Sequence, residues 1–421
     1  MNNTSPLTVQ ERLATRCHPV ILLYGSGFTS NYGCEAIIRG TATLIREVWP
    51  QAVIRYASIR YTDDSRRLKN CPLDIIKRVE IPFYSETFPR LSPWTIATKL
   101  RTCAKLRWVP TMESSSLLDG IDAVFSIGGD LYTPGPQGLG YPHDLVTFGD
   151  TIIASGLKLI VWGASIGPFT TDRNAEIVMQ RHLMRTHLVA AREPATISYL
   201  RSLNIERNVT FCPDPAFTVI GDESSQCVPP NRYRFAVNLS PLAELYANAH
   251  SADLVGDQIR ALTEISERYN AELLLVPHVV DHVSAKNNDL TYLERIYSLL
   301  PSKVKARTVV VREDHGYRGA KAVLKSCHLV VASRMHCAIN ALSESLPTVL
   351  LAYSAKAFGI ANYVYGHADW CLAHDRVGEL PSVVDRLLSR RDEIESALRN
   401  RIPIIRSEAN EPLRRLRVLL G

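Results

Sequence analysis

The stretch from Leu329 to Lys356 carries the residues best suited to chemistry. It reads as a strand, a helix that opens with Ser333, Arg334 and His336, and a second strand that ends near Lys356. A strand-to-helix junction offers unpaired backbone N–H groups and the positive end of the helix dipole, which attract anions. Arginine adds a planar fork, lysine a mobile charge and histidine a proton near neutral pH. The segment therefore predicts an anion site beside a proton carrier; the structural alternative is that these side chains only cap carbonyls and fill space.

A second arginine, Arg192, has the same setting in the first half of the chain. It closes an apolar strand in the run AAREP and precedes a helix. Two arginines at facing strand ends could clamp a small polyanion from both sides of a cleft. The structural alternative for Arg192 is an interdomain ion pair with Glu193 or Asp214.

A glycine-rich turn follows the first apolar strand, in LLYGSGFTSNYGCEAIIRG. Its glycines are spaced too widely for a dinucleotide fingerprint, and no acidic residue follows where a ribose would need one. The polar residues Asn31, Tyr32 and Glu35 instead suit hydrogen bonds to sugar hydroxyls. Glycines that merely permit a tight turn are the alternative.

A second glycine-rich turn lies in SIGGDLYTPGPQG. Gly128 and Gly129 let a ligand approach the backbone closely. Asp130 can accept a proton or a hydrogen bond from a hydroxyl, or it can cap a helix. We predict that this turn lies on the hydroxyl-binding side of the site.

The order of apolar segments predicts the fold. From Pro19 onward, apolar runs of strand length alternate with amphipathic segments of helix length, which is typical of parallel sheets covered by helices. The polar stretch from Gly221 to Arg234 interrupts the alternation and is the predicted linker. We therefore predict an α/β fold of two Rossmann-like domains that face each other across a cleft, 1–225 and 233–421, with a closing helix.

Composition limits the class of protein. The 421 residues are 46% hydrophobic and 21% charged, as in a globular protein, and no apolar run reaches the ~18 residues of a membrane span. With no signal peptide in its first residues, the protein is expected in the cytoplasm. Nine scattered cysteines without a C-x-x-C pair indicate free thiols, and no metal site is expected.

The charge limits the partners. A net charge of +6 suits binding of an anionic small molecule or a lipid phosphate surface. It is smaller than the charge expected of a protein that binds nucleic acid. The basic stretch from Arg90 to Pro110 can lie on an anionic membrane at the inner face of the cell membrane, or it can be a helix with a solvated basic face. Peripheral membrane association is therefore an open alternative.

Seven short motifs, taken in order, resemble those of the polysaccharide pyruvyltransferase family. The resemblance runs from about Val20 to Asn362. The motifs are N-x-G-x-E-A-I at 31–37, the glycines 128–129, S-I-G-P at 165–168, A-R-E-x-x-T at 191–196, D-P-A-F at 214–217, S-R-M-H at 333–336 and Y-S-x-K at 353–356.

The resemblance implies a GT-B-like fold and a reaction. Members of this family transfer a pyruvyl unit from phosphoenolpyruvate to two sugar hydroxyls as a ketal. The acceptor would be a lipid-linked or nucleotide-linked glycan precursor, with phosphoenolpyruvate as co-substrate and no other cofactor. A glycosyltransferase with a nucleotide-sugar donor and a catalytically silent sugar-binding subunit are the alternatives.

The resemblance also places roles on residues of this chain. Arg334 and His336 are the expected catalytic residues. The expected donor-binding residues are Arg192, Ser333, Arg334, His336 and Lys356. The expected acceptor-binding residues, taken from the glycine-rich turns, are Asn31, Tyr32, Glu35, Gly128, Gly129 and Asp130. The chain has Gly33, Cys34 and Glu35 where the family commonly has Gly-Asp-Glu, and Asn238, Leu239 and Ser240 where the family often has an arginine.

Overall fold

The computed structural model describes residues 18–77, 117–134, 138–223, 232–247, 253–281 and 287–420. The basic stretch from Arg90 to Pro110 and most of the predicted linker lie outside these residues.

The first half of the chain forms a seven-stranded sheet in the order β3-β2-β1-β4-β5-β6-β7. Every neighbouring pair of these strands is parallel. The strands are β1 Val20–Tyr24, β2 Val53–Ser58, β3 Asp74–Lys77, β4 Ala123–Ile127, β5 Lys158–Ala164, β6 Leu188–Ala191 and β7 Val209–Phe211.

The second half forms a six-stranded sheet in the order β10-β9-β8-β11-β12-β13, again with parallel neighbours. Its strands are β8 Arg234–Asn238, β9 Glu272–Leu275, β10 Thr308–Val310, β11 Leu329–Ala332, β12 Thr348–Ala352 and β13 Cys371–Ala373. The prediction of two Rossmann-like α/β domains is confirmed.

Helices connect the strands and cover the sheets. In the first half they are α1 Tyr32–Val48, α2 Tyr61–Arg67, α3 His143–Ala154, α4 Arg173–Arg185 and α5 Pro194–Ser202. In the second half they are α6 Pro241–Ala247, α7 Leu254–Arg268, α8 Asp289–Leu299, α9 Ser302–Lys305, α10 Gly316–Lys325, α11 Met335–Leu342, α12 Ala355–Tyr365, α13 Leu380–Ser389, α14 Arg391–Glu408 and α15 Glu411–Leu420.

The central strands are buried along their whole length, which explains their continuous apolar runs. The strands β1, β4, β11 and β12 have no exposed residue, because helices cover both faces of each sheet. Burying such side chains contributes about 1.5–3 kcal/mol for each large aliphatic residue and dominates the stability of both domains.

The last helix packs on the first domain. Leu413, Leu416 and Leu420 of α15 belong to the hydrophobic cluster that contains Ile21 and Phe125 of the first sheet. The chain thus returns to the N-terminal domain after completing the second sheet. The predicted range 233–421 for the C-terminal domain therefore includes a helix whose apolar face packs in the other domain.

Both sheets reverse their strand order at one point, between β1 and β4 in the first and between β8 and β11 in the second. A crevice opens outside the carboxyl ends of parallel strands at such a point. The turn at Gly128–Asp130 follows β4, and Ser333 and Arg334 follow β11. The fold thus brings the predicted site residues of each domain to the edge where ligands bind in sheets of this type.

Candidate active site

His336 contacts a buried carboxylate of the other domain. Its imidazole lies in the first turn of α11, and its Nε2 is 3.4 Å from Oδ2 of Asp214. Asp214 is fully buried at the start of a short 3-10 helix after β7, where it accepts a hydrogen bond from the N–H of Ala216. The N-terminal domain thus supplies the carboxylate and the C-terminal domain supplies the imidazole.

A glycine allows this contact. Gly33 lies in the first turn of α1, and a Cβ placed on it would overlap the imidazole of His336. The two helices α1 and α11 therefore approach through their first turns. Both N-termini carry partial positive charge, which favours an anion between them.

Arg192 holds two carboxylates. Its side chain is only 2% exposed, with Nη1 3.0 Å from Oδ2 of Asp214 and Nη2 2.8 Å from Oδ1 of Asp130. Its Nε donates to Oγ of Ser165 at 2.9 Å. A Cβ on Gly129 would lie 2.6 Å from Nη1, so the guanidinium packs directly on that glycine. The ion pair with Asp214 that we considered as an alternative is present, but it lies within one domain rather than between domains.

Lys356 reaches across from the second domain. Its ammonium group forms an ion pair with Oδ1 of Asp130. Asp130 is therefore shared by Arg192 and Lys356, while Asp214 is shared by Arg192 and His336. These five side chains, which we call the interdomain charge network, join three of the predicted donor-binding residues through two carboxylates.

Arg334 is held in place beside this network. Its guanidinium donates two hydrogen bonds to Oδ1 of Asp289, from Nη2 at 2.7 Å and from Nε at 3.0 Å. Nη2 also donates to the side chain of Asn287. The N–H of Arg334 donates to Oδ1 of Asn238 at 2.9 Å. Tyr353, the first residue of the Y-S-x-K motif, is also hydrogen-bonded to Arg334. Ser333 is buried, and its N–H donates to the carbonyl of Asn238.

The network shifts the pKa of its carboxylates. Burial alone would raise the pKa of Asp214, but the charges of His336 and Arg192 and their hydrogen bonds hold it well below its ordinary range. Asp130 is more exposed, and the partial loss of hydrating water acts to raise its pKa, but the charges of Arg192 and Lys356 outweigh this effect, so that the net shift of the pKa is downward. Both carboxylates are therefore ionised at neutral pH.

A second histidine lies behind the site. His278 is buried, and desolvation, together with the positive charges of His336 and Arg334, lowers its pKa to about 3. It is neutral at working pH and hydrogen-bonds with the side chain of Asn340. It therefore packs beside the cationic residues without adding charge.

Three residues predicted to bind the acceptor have partners inside the protein. The side chain of Asn31 caps α1 by accepting from the N–H of Gly33, which is why this helix begins at Tyr32. The hydroxyl of Tyr32 donates to Asp314 of the second domain. Glu35 accepts from Arg39 and from the N–H of Tyr317. Acceptor roles for these residues remain predictions.

The glycine turn after β4 packs closely against other side chains of the protein, and the acceptor-binding role of its glycines remains a prediction. Gly128 has φ +147°, a conformation that favours glycine, and its Cα packs against the side chain of Leu131. With Gly129 against Arg192, both glycines permit close packing next to Asp130. The side chain of Asp130 is more than half exposed. The turn therefore presents a solvent-accessible carboxylate beside buried cations.

The sequence interpretation missed Asp289 and His278. Asp289 is fully buried and also accepts from the N–H groups of His278 and Val279. It is the first residue of α8, where an acidic residue is common, so nothing in the sequence marked it as the partner of Arg334. Asp214 lay in a motif that we quoted, and its D-P-A-F context was the available signal.

Two features are absent from the described ranges. No group of three or more histidine, cysteine or acidic side chains in them could hold a metal ion. None of the helices there is long and apolar enough to cross a membrane.

The fold is similar to that of several solved GT-B type enzymes. UDP-GlcNAc 2-epimerase from Neisseria meningitidis, bound to UDP-GlcNAc, matches with a TM-score of 0.57 at 11% identity, over 96% of this chain and 99% of that one. Anabaena HepE, in complex with UDP and glucose, matches with a TM-score of 0.52 at 13% identity, over 94% and 96%. At these identities the likeness shows the fold alone. The two domains and the cleft between them thus define a GT-B-like fold.

The family model for polysaccharide pyruvyl transferase matches residues 31–355, most of the chain. The protein therefore belongs to the polysaccharide pyruvyl transferase family and is a transferase of polysaccharide biosynthesis. A comparison with curated proteins found no match.

Proposed function

We propose that this protein transfers a pyruvyl unit from phosphoenolpyruvate to two hydroxyls of a sugar in a glycan precursor, forming a pyruvate ketal and releasing phosphate. The observation that carries the proposal is the interdomain charge network, in which Arg192, Lys356 and His336 meet around two carboxylates. Phosphoenolpyruvate has a carboxylate and a phosphate on three carbons, so it needs cations from more than one direction. A cytoplasmic location, with or without contact to a membrane surface, is part of this proposal.

Asp130 is the residue that the donor would displace. It occupies Arg192 and Lys356 together, and its side chain is 58% exposed, so it can turn into solvent. An anionic group of phosphoenolpyruvate would then take its place on the same two cations. Asp214, by contrast, is fully buried and would stay to orient His336 and Arg192.

The proposed chemistry begins with protonation of the donor's methylene carbon, which makes it a methyl group and leaves positive charge at C2. One sugar hydroxyl attacks C2 and loses its proton. The C2–oxygen bond to phosphate then breaks, and the second hydroxyl attacks the same carbon and loses its proton. The methylene carbon gains one proton and the hydroxyls lose two, so the remaining proton leaves on hydrogen phosphate.

His336 is the residue proposed to move these protons. Histidine is the side chain most often used to transfer protons at neutral pH, and this imidazole contacts Asp214 at the N-terminus of α11. Arg334, fixed by Asp289, would stabilise the charge on the carboxylate or the phosphate. Asp130, once released from the cations, would be free to accept a hydrogen bond from an acceptor hydroxyl.

A glycosyltransferase with a nucleotide-sugar donor is the second candidate. It is favoured by the two structural neighbours that hold UDP-GlcNAc or UDP with glucose. The choice of donor decides between the two, because both reactions would use the same cleft.

Thermal unfolding of the protein with each donor separates the candidates. A ligand that binds only the native state stabilises it by about 2.7 kcal/mol at one hundred times its Kd. We expect phosphoenolpyruvate to raise the midpoint temperature, and we expect the effect to disappear in Lys356→Met but not in Lys303→Met, which removes an exposed lysine of the second domain. Stabilisation by UDP-sugars with none by phosphoenolpyruvate would contradict the proposed donor.

A further inference from the structure

An interdomain pocket is lined partly by α1, the helix whose first turn contacts His336 of the charge network. It has a volume of about 350 Å³ and is lined by residues of both domains. Its charged lining includes Glu35 and Arg39 of α1, Arg67 of α2, and Asp314 of the second domain. The proposed reaction assigns no role to this pocket.

Part of its charge is already paired within the protein, and one of the pairs joins the two domains. Arg39 pairs with Glu35 at 2.7 Å, and Arg67 pairs with Asp314. At the rim, Arg318 pairs with Asp222 at 2.8 Å. These three pairs use every carboxylate in the lining of the pocket.

Two further cations, Arg66 and Lys69, line the pocket and pair with none of the carboxylates in its lining. Arg66 is 72% exposed, and its ion pair with Asp63 is long, at 3.7 Å. Lys69 has no ion pair with any residue that the structure describes. The pocket therefore holds five cationic side chains against three carboxylates, an excess that fits an anionic ligand.

Arg67 gives an independent indication of a missing acceptor. Its side chain is 8% exposed, and its Nε is buried with no hydrogen-bond partner in the described part of the chain. A buried donor without a partner destabilises the folded protein. An oxygen of a bound anion, reached by a small turn of the guanidinium, would satisfy it.

We propose that this pocket binds the phosphate or diphosphate group through which the acceptor sugar is attached to its carrier. The proposal rests on the proposed function, because it assigns the pocket to the acceptor of that reaction. Gly33 of α1 faces His336, while Glu35 and Arg39 of the same helix line the pocket. Six residues of helix span about 9 Å, so a sugar can lie at the network while its diphosphate lies in the pocket. A diphosphate links the sugar to its carrier in both polyprenyl-linked and nucleotide-linked acceptors.

Binding of inorganic pyrophosphate, measured by calorimetry, tests the pocket directly. The double variant R66Q/K69Q removes two unmatched cations that are exposed and outside the charge network. We expect its affinity for pyrophosphate to fall by about tenfold or more, since hydrogen bonds to charged groups contribute about 1.5–3 kcal/mol each. The control R201Q/K303Q removes the same charge from exposed sites outside the pocket and should retain the affinity.

The titration is repeated with phosphoenolpyruvate present, so that pyrophosphate is excluded from the donor site. Displacement of pyrophosphate by UDP identifies a nucleotide carrier, and displacement by farnesyl diphosphate identifies a lipid carrier. Equal affinity in R66Q/K69Q and in the control, or no binding by the unmodified protein, overturns the proposal. If phosphoenolpyruvate fails to bind while pyrophosphate binding still depends on Arg66 and Lys69, the pyruvyl transfer is wrong and the anion pocket stands.

Discussion

Nε2 of His336 lies 3.4 Å from Oδ2 of Asp214, and the two residues belong to different domains. The same carboxylate oxygen binds Nη1 of Arg192 at 3.0 Å. Asp214 therefore orients one basic residue of each domain around a single buried carboxylate. Any motion that separates the domains removes the imidazole from its carboxylate, so the proposed proton transfer is confined to the arrangement in which the domains touch.

Replacing His336 by Gln should abolish most of the activity. The amide fills similar space but moves no proton, and general acid–base catalysis typically contributes about 10²–10⁴-fold. We expect kcat for phosphate release in the presence of acceptor to fall by about that factor, with the thermal midpoint little changed. The variant His143→Gln, at an exposed histidine of α3, should keep full activity. Turnover at the normal rate in His336→Gln would show that another group carries the proton.

Replacing Gly33 by Ala should impair the same step without touching a charged residue. The new Cβ would overlap the imidazole of His336, so the ring or the domain must shift. We expect kcat/KM to fall at least about tenfold, because small displacements of a positioned catalytic group are costly.

The variant Gly359→Ala is the matched control for Gly33→Ala. Gly359 lies within α12, and a Cβ on it would meet no atom within 4 Å. Equal kinetics for the two variants would mean that the close approach of α1 to His336 does not matter for turnover.

The fold could be predicted from the sequence because the central strands are recognisable as short, continuous apolar runs. Runs such as VILLY and TVLLA are apolar throughout, as expected for strands that are covered on both faces. The last helix could not be placed in the same way. Its amphipathic pattern shows that Leu413 and Leu416 are buried but does not say in which domain, and they pack against the first sheet.

The basic residues of the site could also be predicted from the sequence, but the carboxylates that bind them could not. Arg334 and His336 stand at a strand-to-helix junction that attracts anions, which a pattern can reveal. Asp289 comes 45 positions before Arg334, and only the fold brings it within 2.7 Å of the guanidinium. Tyr32 and Glu35 were predicted to bind an acceptor because they are polar. Their burial against the second domain could not be seen in the sequence, and their acceptor roles remain predictions.

His278 should make the protein less stable in mild acid. Desolvation, with the charges of His336 and Arg334, lowers its pKa from 6.5 to about 3. Below pH 6.5 the imidazole of His278 therefore binds a proton in the unfolded chain but stays neutral in the folded protein. The contribution of His278 to stability is complete above pH 6.5 and is lost as the pH falls toward 3. The loss contributed by this residue should reach about 2 kcal/mol at pH 5.

Urea denaturation of the unmodified protein and of His278→Gln measures this contribution. The glutamine has no proton to bind, so the difference in free energy of unfolding between the two proteins should change by that amount between pH 7 and pH 5. The variant His367→Gln, at a partly exposed histidine, serves as the control. A difference that does not vary with pH would mean that His278 is protonated in the folded state.

Replacing Asp214 by Asn should lower both stability and activity, and the stability effect should depend on pH. The amide leaves Arg192 and His336 without their shared negative charge, and breaking a buried pair in this way typically costs about 3–5 kcal/mol. Burial opposes ionisation of Asp214, but His336 and Arg192 outweigh it and hold its folded pKa below the ordinary 3.8. The carboxylate thus stabilises the fold fully above pH 3.8, and this contribution is lost as the pH falls through the lower folded value.

Urea denaturation should show the largest difference in free energy of unfolding between Asp214→Asn and the unmodified protein near pH 7, and a smaller difference below pH 3.8. The control Asp369→Asn, at an exposed carboxylate, should show little difference at either pH. Equal unfolding free energies for Asp214→Asn and the unmodified protein at pH 7 would mean that this carboxylate does not hold the two domains together.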